Sequence, residues 1–445
     1  MIGFLLDVFR EHAGDEAVAG PLGSESYERL LARVDAARVT LARAGIGPGT
    51  VATLEGDFSP GGIAGLLALI DAGAVVAPIA PTSEHALERS LRLAEVEARV
   101  RLGADDAIRV EATGRNATHA LYAALRRQGH AGLVLFTSGS TGEPKVVLHD
   151  CARLLAKYTT RRHRIRTLLF LLFDHIGGFD TLLQALSNAS AVIVPDDRTP
   201  EGVCAAIARH RAEVLPASPS FLSMLLMSGA HTRHDLSSLR YVTYGAEVMP
   251  PALLRRLAGA FPGVTLLQKY GLTELGTLRS HSSANDSPWV RIGGEGYQTR
   301  VVDGLLQIRA ESSMLGYLNA PSPFTPDGWF MTGDAVEVDG EYLRILGRVS
   351  DLINVGGRKV YPPEVEAVIL ELDNVREAAV RGEPHPLVGR VVVARVTLRE
   401  PEDPRALERR VREHCRSRLA PYMVPVKVEI ATGPLHTERH KTVRR

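Results

Sequence analysis

Cysteine is scarce in this chain of 445 residues, with only three: Cys151, Cys204 and Cys415. They sit too far apart for a metal-ligand cluster or a disulfide framework, and read as ordinary thiols of a reducing compartment. An excess of either charge is missing too, since 52 Lys+Arg against 51 Asp+Glu leave a net charge of +1. That balance excludes a general polyanion-binding surface, so no nucleic-acid partner is expected. Aromatic residues make up only 5%, too few for a platform that stacks single-stranded bases. Long apolar runs are absent as well. The most apolar stretch, residues 61–81, is interrupted by Asp71 and Gly73 and reads as a helix, a turn and a strand rather than a membrane span. The first residues, MIGFLLDVFREHAGDE, turn acidic without the basic start of an export signal, so a cytoplasmic location is expected. What is abundant is apolar side chain, 45% of the total, enough to bury the cores of roughly two to four folding units.

Helix and strand patterns alternate over the first 290 residues. Tyr27–Ala44 puts Leu30, Leu31, Val34, Ala37 and Leu41 on one face at helical spacing. Val51–Leu54 is a short strand, Gly61–Ala72 a helix and Val75–Ile79 a buried strand. Further strands are expected at Leu133–Phe136, Thr167–Phe173, Ala191–Val194, Glu213–Pro216, Tyr241–Tyr244 and Thr265–Gln268, with helices such as Thr181–Leu186 and Pro251–Gly259 between them. Such alternation predicts parallel sheet with helices on its faces. Beyond residue 290, antiparallel strands are expected at Tyr297–Arg309, Ala335–Asp339 and Glu341–Leu346. A small α+β unit then begins near Gly347-Arg348. Its expected helices are Pro363–Glu371 and Asp403–Leu419, and its strands Ala378–Val380, Val391–Leu398 and Val426–Ile430.

The strongest local feature follows the strand Leu133–Phe136: Thr137-Ser138-Gly139-Ser140-Thr141-Gly142-Glu143-Pro144-Lys145. Glycines let backbone N–H groups approach an anion, hydroxyls donate to phosphate oxygens and a lysine neutralises charge. The spacing is not that of the P-loop, because Val146 follows the lysine. Tyr270-Gly271-Leu272-Thr273-Glu274 offers a flat ring for a purine, a hydroxyl for a phosphate and one carboxylate suited to Mg²⁺. A Thr–Glu pair also suits the start of a helix, and that alternative stands beside the functional one.

The glycine- and hydroxyl-rich segment resembles the phosphate-binding signature of the adenylate-forming superfamily, which includes acyl-CoA synthetases, peptide-synthetase adenylation domains and firefly luciferase. The remaining motifs follow in that family's order. They are Tyr270–Glu274, Trp329–Asp334, the Gly347–Gly357 segment with Val360–Glu366, and Pro434–Lys441. The likeness spans essentially the whole chain. It implies an α/β fold with a large N-terminal domain of layered β-sheets flanked by helices, residues 1–348. A small mobile α+β C-terminal cap, residues 349–445, would follow.

By resemblance, Thr137 to Gly142 and Lys145 would hold the β- and γ-phosphates of ATP. Gly245, Ala246, Glu247 and Tyr270 would hold adenine, together with Gly271 and Leu272, while Asp334 and Arg348 would hold ribose. Thr273 would reach the α-phosphate, Glu274 would bind Mg²⁺, and Lys441 would bridge the carboxylate and the α-phosphate. His175 would gate an acid pocket that also draws on Ile176, Ser218, Tyr244 and Gly271. Ile176 stands where amino-acid-activating relatives carry an Asp, although Asp174 lies two residues earlier. Gly356 and Gly357 would line a thiol tunnel after rotation of the cap about Ser350, unless they serve only a left-handed turn. Three positions depart from the family pattern: Ser350 replaces the usual Asp or Lys, His440 the glycine before Lys441, and Pro434-Leu435 inverts Leu-Pro. The implied reaction is activation of a small carboxylic acid by Mg·ATP to an acyl-adenylate, with loss of pyrophosphate, and then transfer to CoA. Loading of a phosphopantetheinyl carrier protein, or transfer to an amine, remains the alternative. A monomer or homodimer is expected, compact for its family.

Overall fold

The computed structural model describes residues 1–137, 143–294, 296–433 and 435. Two seven-stranded sheets build the first half of the chain. The first runs in the order Thr265–Gln268, Tyr241–Tyr244, Val214–Ala217, Thr167–Leu168, Val192–Ile193, Glu16–Gly20 and Gly23–Ser26. It is parallel except at the last hairpin. Ala217 pairs with Tyr244, and Tyr244 with Gln268. The three strands therefore end level, and Ser218, Gly245 and Lys269 follow side by side at their carboxyl edge. In open α/β sheets that edge is where ligands bind.

The second sheet runs Gly316–Tyr317, Lys145–Asp150, Gly132–Thr137, Val75–Ile79, Val51–Glu55, Ala98–Leu102 and Ile108–Ala112. Its centre is parallel and its edges antiparallel. The helix Pro60–Asp71, capped by the Ser59 side chain, is buried from Pro60 through Ile70. It shares one core with Val18 and Val192 of the first sheet and Leu54, Val76 and Leu133 of the second. A helix packed on every side can be apolar on every side, which is why its sequence carries no amphipathic stripe.

A six-stranded antiparallel sheet follows, in the order Ser280–Ser282, Val290–Ile292, Tyr342–Arg348, Phe330–Asp339, Leu305–Ala310 and Tyr297–Val302. After a turn at Val349–Asp351, the C-terminal domain forms a five-stranded sheet around the long hairpin Val375–His385 and Gly389–Leu398. The helices Pro362–Ile369 and Pro404–Arg416 cover it through Val365, Ile369, Leu407, Val411 and Cys415. All three cysteines are free, buried thiols. No helix among the described residues is long and apolar enough to cross a membrane.

Most expected elements appear, with shifted ends: the strand expected at Ala335–Asp339 starts at Phe330, that at Ala378–Val380 runs Val375–His385, and the helix expected to reach Leu419 ends at Arg416. Two others differ for physical reasons. The expected strand Thr167–Phe173 pairs only over Thr167–Leu168. Beyond Leu169 the chain leaves the sheet, so that Phe170 enters the core around Val203 and Leu215 while Phe173 enters the core around Phe58 and Phe179. The helix expected at Thr181 begins at Ile176, because the His175 ring caps it by accepting from the Gly177 N–H at 3.0 Å.

Candidate active site

The phosphate-loop segment closes a hairpin: Thr137 and Lys145 face each other across antiparallel strands. Ser138, Gly139, Ser140, Thr141 and Gly142 lie outside the described residues, as do Pro434 and the segment from His436 to Arg445 that holds Lys441. Leu435 is described. Its N–H donates to Glu377 at 3.1 Å, and it lines a cleft between the two domains with Ser220 and Glu247.

That loop is tightly built. A Cβ on Gly245 would stand 2.5 Å from the Lys269 carbonyl oxygen. Ala246 is held in the left-handed region at φ 69°, a conformation that costs an alanine about 1–2 kcal/mol. Glu247 accepts from the Ser220 N–H at 3.1 Å and from its hydroxyl at 2.6 Å, so this carboxylate is committed to the start of the helix Pro219–Ser228.

Tyr270 and Asp334, expected at adenine and ribose, are in direct contact. The Tyr270 hydroxyl donates to Asp334 Oδ2 at 2.5 Å, and Arg348 Nε reaches Oδ1 at 3.3 Å. Asp334 and Arg348 are cross-strand partners, which fixes their proximity by register. Burial raises the Asp334 pKa, against the lowering effect of Arg348, and burial beside Asp334 raises that of Tyr270. The Arg348 side chain stays half-exposed, open to a ligand.

Glu274 and Thr273 are each held by a residue that motif reading passed over. The Tyr317 hydroxyl donates to Glu274 Oε1 at 2.7 Å, while the Lys145 ammonium lies 5.0 Å over the Tyr317 ring. One tyrosine therefore joins the acidic residue to the end of the phosphate hairpin. His149 is fully buried and its Nε2 donates to the Thr273 carbonyl at 2.6 Å. Burial lowers its pKa to about 4, so the ring is neutral near pH 7. The residues Gly271 and Leu272 start a small hairpin, with Gly271 opposite Thr277 and Leu272 opposite Gly276. It turns at Thr273–Leu275, and the helix-start alternative for Thr273–Glu274 is not what forms.

Among the expected acid-pocket residues, Ser218 caps the helix Pro219–Ser228 through the Phe221 N–H at 3.2 Å, and Tyr244 is buried. Ile176 is buried in the main core at the helix start. Gly356 and Gly357 occupy a left-handed turn, φ 57° and 83°, exposed on the small domain. In this arrangement the turn alone accounts for them. Ser350 lies exposed in the turn between domains, its hydroxyl on Asp351 at 3.0 Å.

The chain belongs to the AMP-binding enzyme family: that family's model matches residues 7–307, and the model of the AMP-binding enzyme C-terminal domain matches residues 364–441. The long-chain-fatty-acid–CoA ligase FadD13 of Mycobacterium tuberculosis is 31% identical over 324 residues, 67% of this chain and 63% of that protein. The sulfoacetate–CoA ligase of Cupriavidus necator is 30% identical over 387 residues, 80% of this chain and 74% of that protein. The match thus spans a little under two thirds of the first of these relatives. Among solved structures, the anthranilate CoA ligase AuaEII with anthranoyl-AMP shares the fold at a TM-score of 0.83 and 21% identity, covering 99% of this chain and 95% of that one. The amide bond synthetase McbA of Marinactinospora thermotolerans aligns with a TM-score of 0.79 and 25% identity, covering 98% and 97%.

Proposed function

We propose that this protein is an AMP-forming acid–thiol ligase. A carboxylate oxygen attacks the α-phosphorus of ATP, pyrophosphate leaves, and an acyl-adenylate forms. The sulfur of CoA then attacks the acyl carbon, and AMP leaves. The observation that supports this reading is the Tyr270–Asp334–Arg348 network, a buried carboxylate between a phenol and a cation, which would take a nucleotide's ribose hydroxyls. On this reading, the Tyr270 ring faces adenine and Thr137 and Lys145 flank the phosphates. Lys441 neutralises the two anions that must meet, a transition-state effect. Mg²⁺ arriving on the nucleotide fits Glu274: a single carboxylate with phosphate oxygens is the donor set that ion takes, and Tyr317 engages only one of its oxygens. The ion would draw charge from the phosphates. Rotation of the C-terminal domain about Ser350 would bring Gly356 and Gly357 to the thiol.

A carrier-protein phosphopantetheine arm or an amine is the second acceptor reading, and the whole-length likeness to an amide bond synthetase favours keeping it. The test is acid-dependent ATP–pyrophosphate exchange across aryl, fatty, β-amino and α-amino acids, followed by product analysis with CoA, a holo-carrier protein and amines. We expect exchange with a limited set of acids and a thioester with CoA. Nucleotide binding without exchange for any acid overturns the ligase reading.

A further inference from the structure

Lys145, the cation of the phosphate hairpin, is gripped by a short stretch of chain that runs along the outside of that hairpin. The strand Gly316–Tyr317 pairs antiparallel with Lys145–Asp150, Gly316 opposite Leu148 and Tyr317 opposite Val147. The next backbone bond comes from Leu318, whose N–H donates to the Val146 carbonyl at 2.9 Å. Beyond it a side chain takes over. Asn319 Oδ1 accepts from the Val146 N–H at 2.8 Å, and Asn319 Nδ2 donates to the Pro144 carbonyl at 2.9 Å. The partners fix the orientation of the amide, since an N–H needs an acceptor and a carbonyl needs a donor.

These two backbone groups flank Lys145. The Pro144 carbonyl belongs to the peptide before it, and the Val146 N–H to the peptide after it. One side chain therefore restrains both peptide planes of the lysine, while Thr137 pairs with it across the hairpin. The far end of the lysine is restrained as well, because its ammonium lies 5.0 Å over the Tyr317 ring. Tyr317 stands two residues before Asn319, so one segment holds the lysine at both ends. Lys145 is exposed, and among the described residues it forms no ion pair. A lysine is a point charge on a flexible four-carbon stem, and ordering that stem on a ligand costs entropy. Restraint in advance removes part of this cost.

We propose that Asn319 is a positioning residue for the nucleotide: by clamping the peptides on either side of Lys145, it aims the ammonium at the phosphates of ATP beyond the α-phosphate. The inference rests on the ligase reading, in which Lys145 flanks the phosphates. Asn319 itself touches no substrate and acts through the lysine.

The test measures calorimetric binding of a non-hydrolysable ATP analogue and of AMP, each with Mg²⁺, to the whole protein. Asn319 is exposed, so its truncation opens no cavity. Asn319→Ala should weaken binding of the analogue about tenfold and that of AMP by less than about twofold. Retained AMP binding shows that the variant is folded. Transfer from preformed acyl-adenylate to CoA uses neither outer phosphate and should keep its rate. A double-mutant cycle identifies the route. Lys145→Met should cost the analogue a similar factor, and Asn319→Ala should add little to it, because the clamp then has no charge to aim. Unchanged binding of the analogue, equal losses for analogue and AMP, or losses that multiply in the double variant each overturn the inference, and pyrophosphate exchange in the same protein leaves the ligase reading intact. A selective loss that depends on Lys145, in a protein that shows no exchange with any acid, supports the clamp and overturns the ligase reading alone.

Discussion

His149 makes the site's stability depend on pH in a way that can be calculated. Its ring is fully buried, neutral, and bonded to the Thr273 carbonyl at 2.6 Å. Burial sets its pKa at about 4 in the folded protein, against 6.5 for an ordinary histidine. Above pH 6.5 both states hold the ring neutral, and folding carries no proton penalty. As pH falls below 6.5, the unfolded chain binds a proton that the folded one refuses, so stability is lost until the folded pKa is reached. One proton bound only by the unfolded chain lowers stability by about 1.4 kcal/mol for each pH unit. The loss is therefore about 1.4 kcal/mol near pH 5.5 and about 2.5 kcal/mol near pH 4.5. Other groups titrate in the same range, so the measurement is a difference. Denaturant unfolding of wild type and His149→Gln is compared from about pH 7.5 to 4.5. The Gln amide keeps a donor for Thr273 but has no proton to gain, so the gap between the two proteins should narrow or invert by roughly 2 kcal/mol on acidification. Parallel profiles would refute the burial of a neutral ring, and with it the account of how the Thr273 turn is held.

Four further outcomes follow from the same geometry. Tyr317→Phe removes the hydroxyl from Glu274, and because a hydrogen bond to a charged group contributes about 1.5–3 kcal/mol, the Mg²⁺ concentration for half-maximal exchange should rise by about tenfold or more. An unchanged Mg²⁺ dependence would detach Glu274 from the metal. Asp334→Asn should erase discrimination between ATP and 2′-deoxy-ATP, read as the ratio of their kcat/KM values; a preserved ratio rejects the ribose assignment. Gly245→Ala sets a Cβ 2.5 Å from the Lys269 carbonyl, and should lower the unfolding free energy by about 1–3 kcal/mol while weakening nucleotide binding. Lys441→Ala should cut pyrophosphate exchange by orders of magnitude yet spare thiol transfer from preformed acyl-adenylate, and unimpaired exchange removes Lys441 from the mechanism.

Periodicity made the helices and paired strands legible, because each is a local pattern imposed by one buried face. It failed where a residue's destination lies elsewhere in the chain. Leu169–Phe173 reads as strand because it is apolar, but two separate cores draw its phenylalanines out of the ladder. The Thr137–Lys145 and Tyr270–Glu274 motifs announced themselves because their chemistry is written in adjacent residues. Tyr317 did not, since its partner Glu274 is 43 residues away, and neither did His149, 124 residues from Thr273. Asp334 and Tyr270 were both marked, but that the phenol touches the carboxylate follows only from their sheets being packed together.

The six residues from Lys269 to Glu274 are held by four anchors that come from three sheets. The Lys269 N–H is held by the first parallel sheet through Tyr244, the Tyr270 hydroxyl by the antiparallel sheet through Asp334, and the Thr273 carbonyl by the second seven-stranded sheet through His149. Glu274 is held by Tyr317, on the edge strand of that same second sheet. Leu272 and Leu275 are buried among Val290, Leu306 and Phe330, so the segment cannot shift without opening a core. Three sheets thus fix one short stretch of chain. On the ligase reading proposed above, its Thr273 and Glu274 face the nucleotide, so a substitution that loosens an anchor should weaken nucleotide binding although it removes no charge. His149→Ala leaves the Thr273 carbonyl without a donor and Tyr317→Phe does the same to Glu274. Calorimetric binding of a non-hydrolysable ATP analogue to both variants tests this, and unchanged binding in both would mean that these anchors do not hold the segment in place.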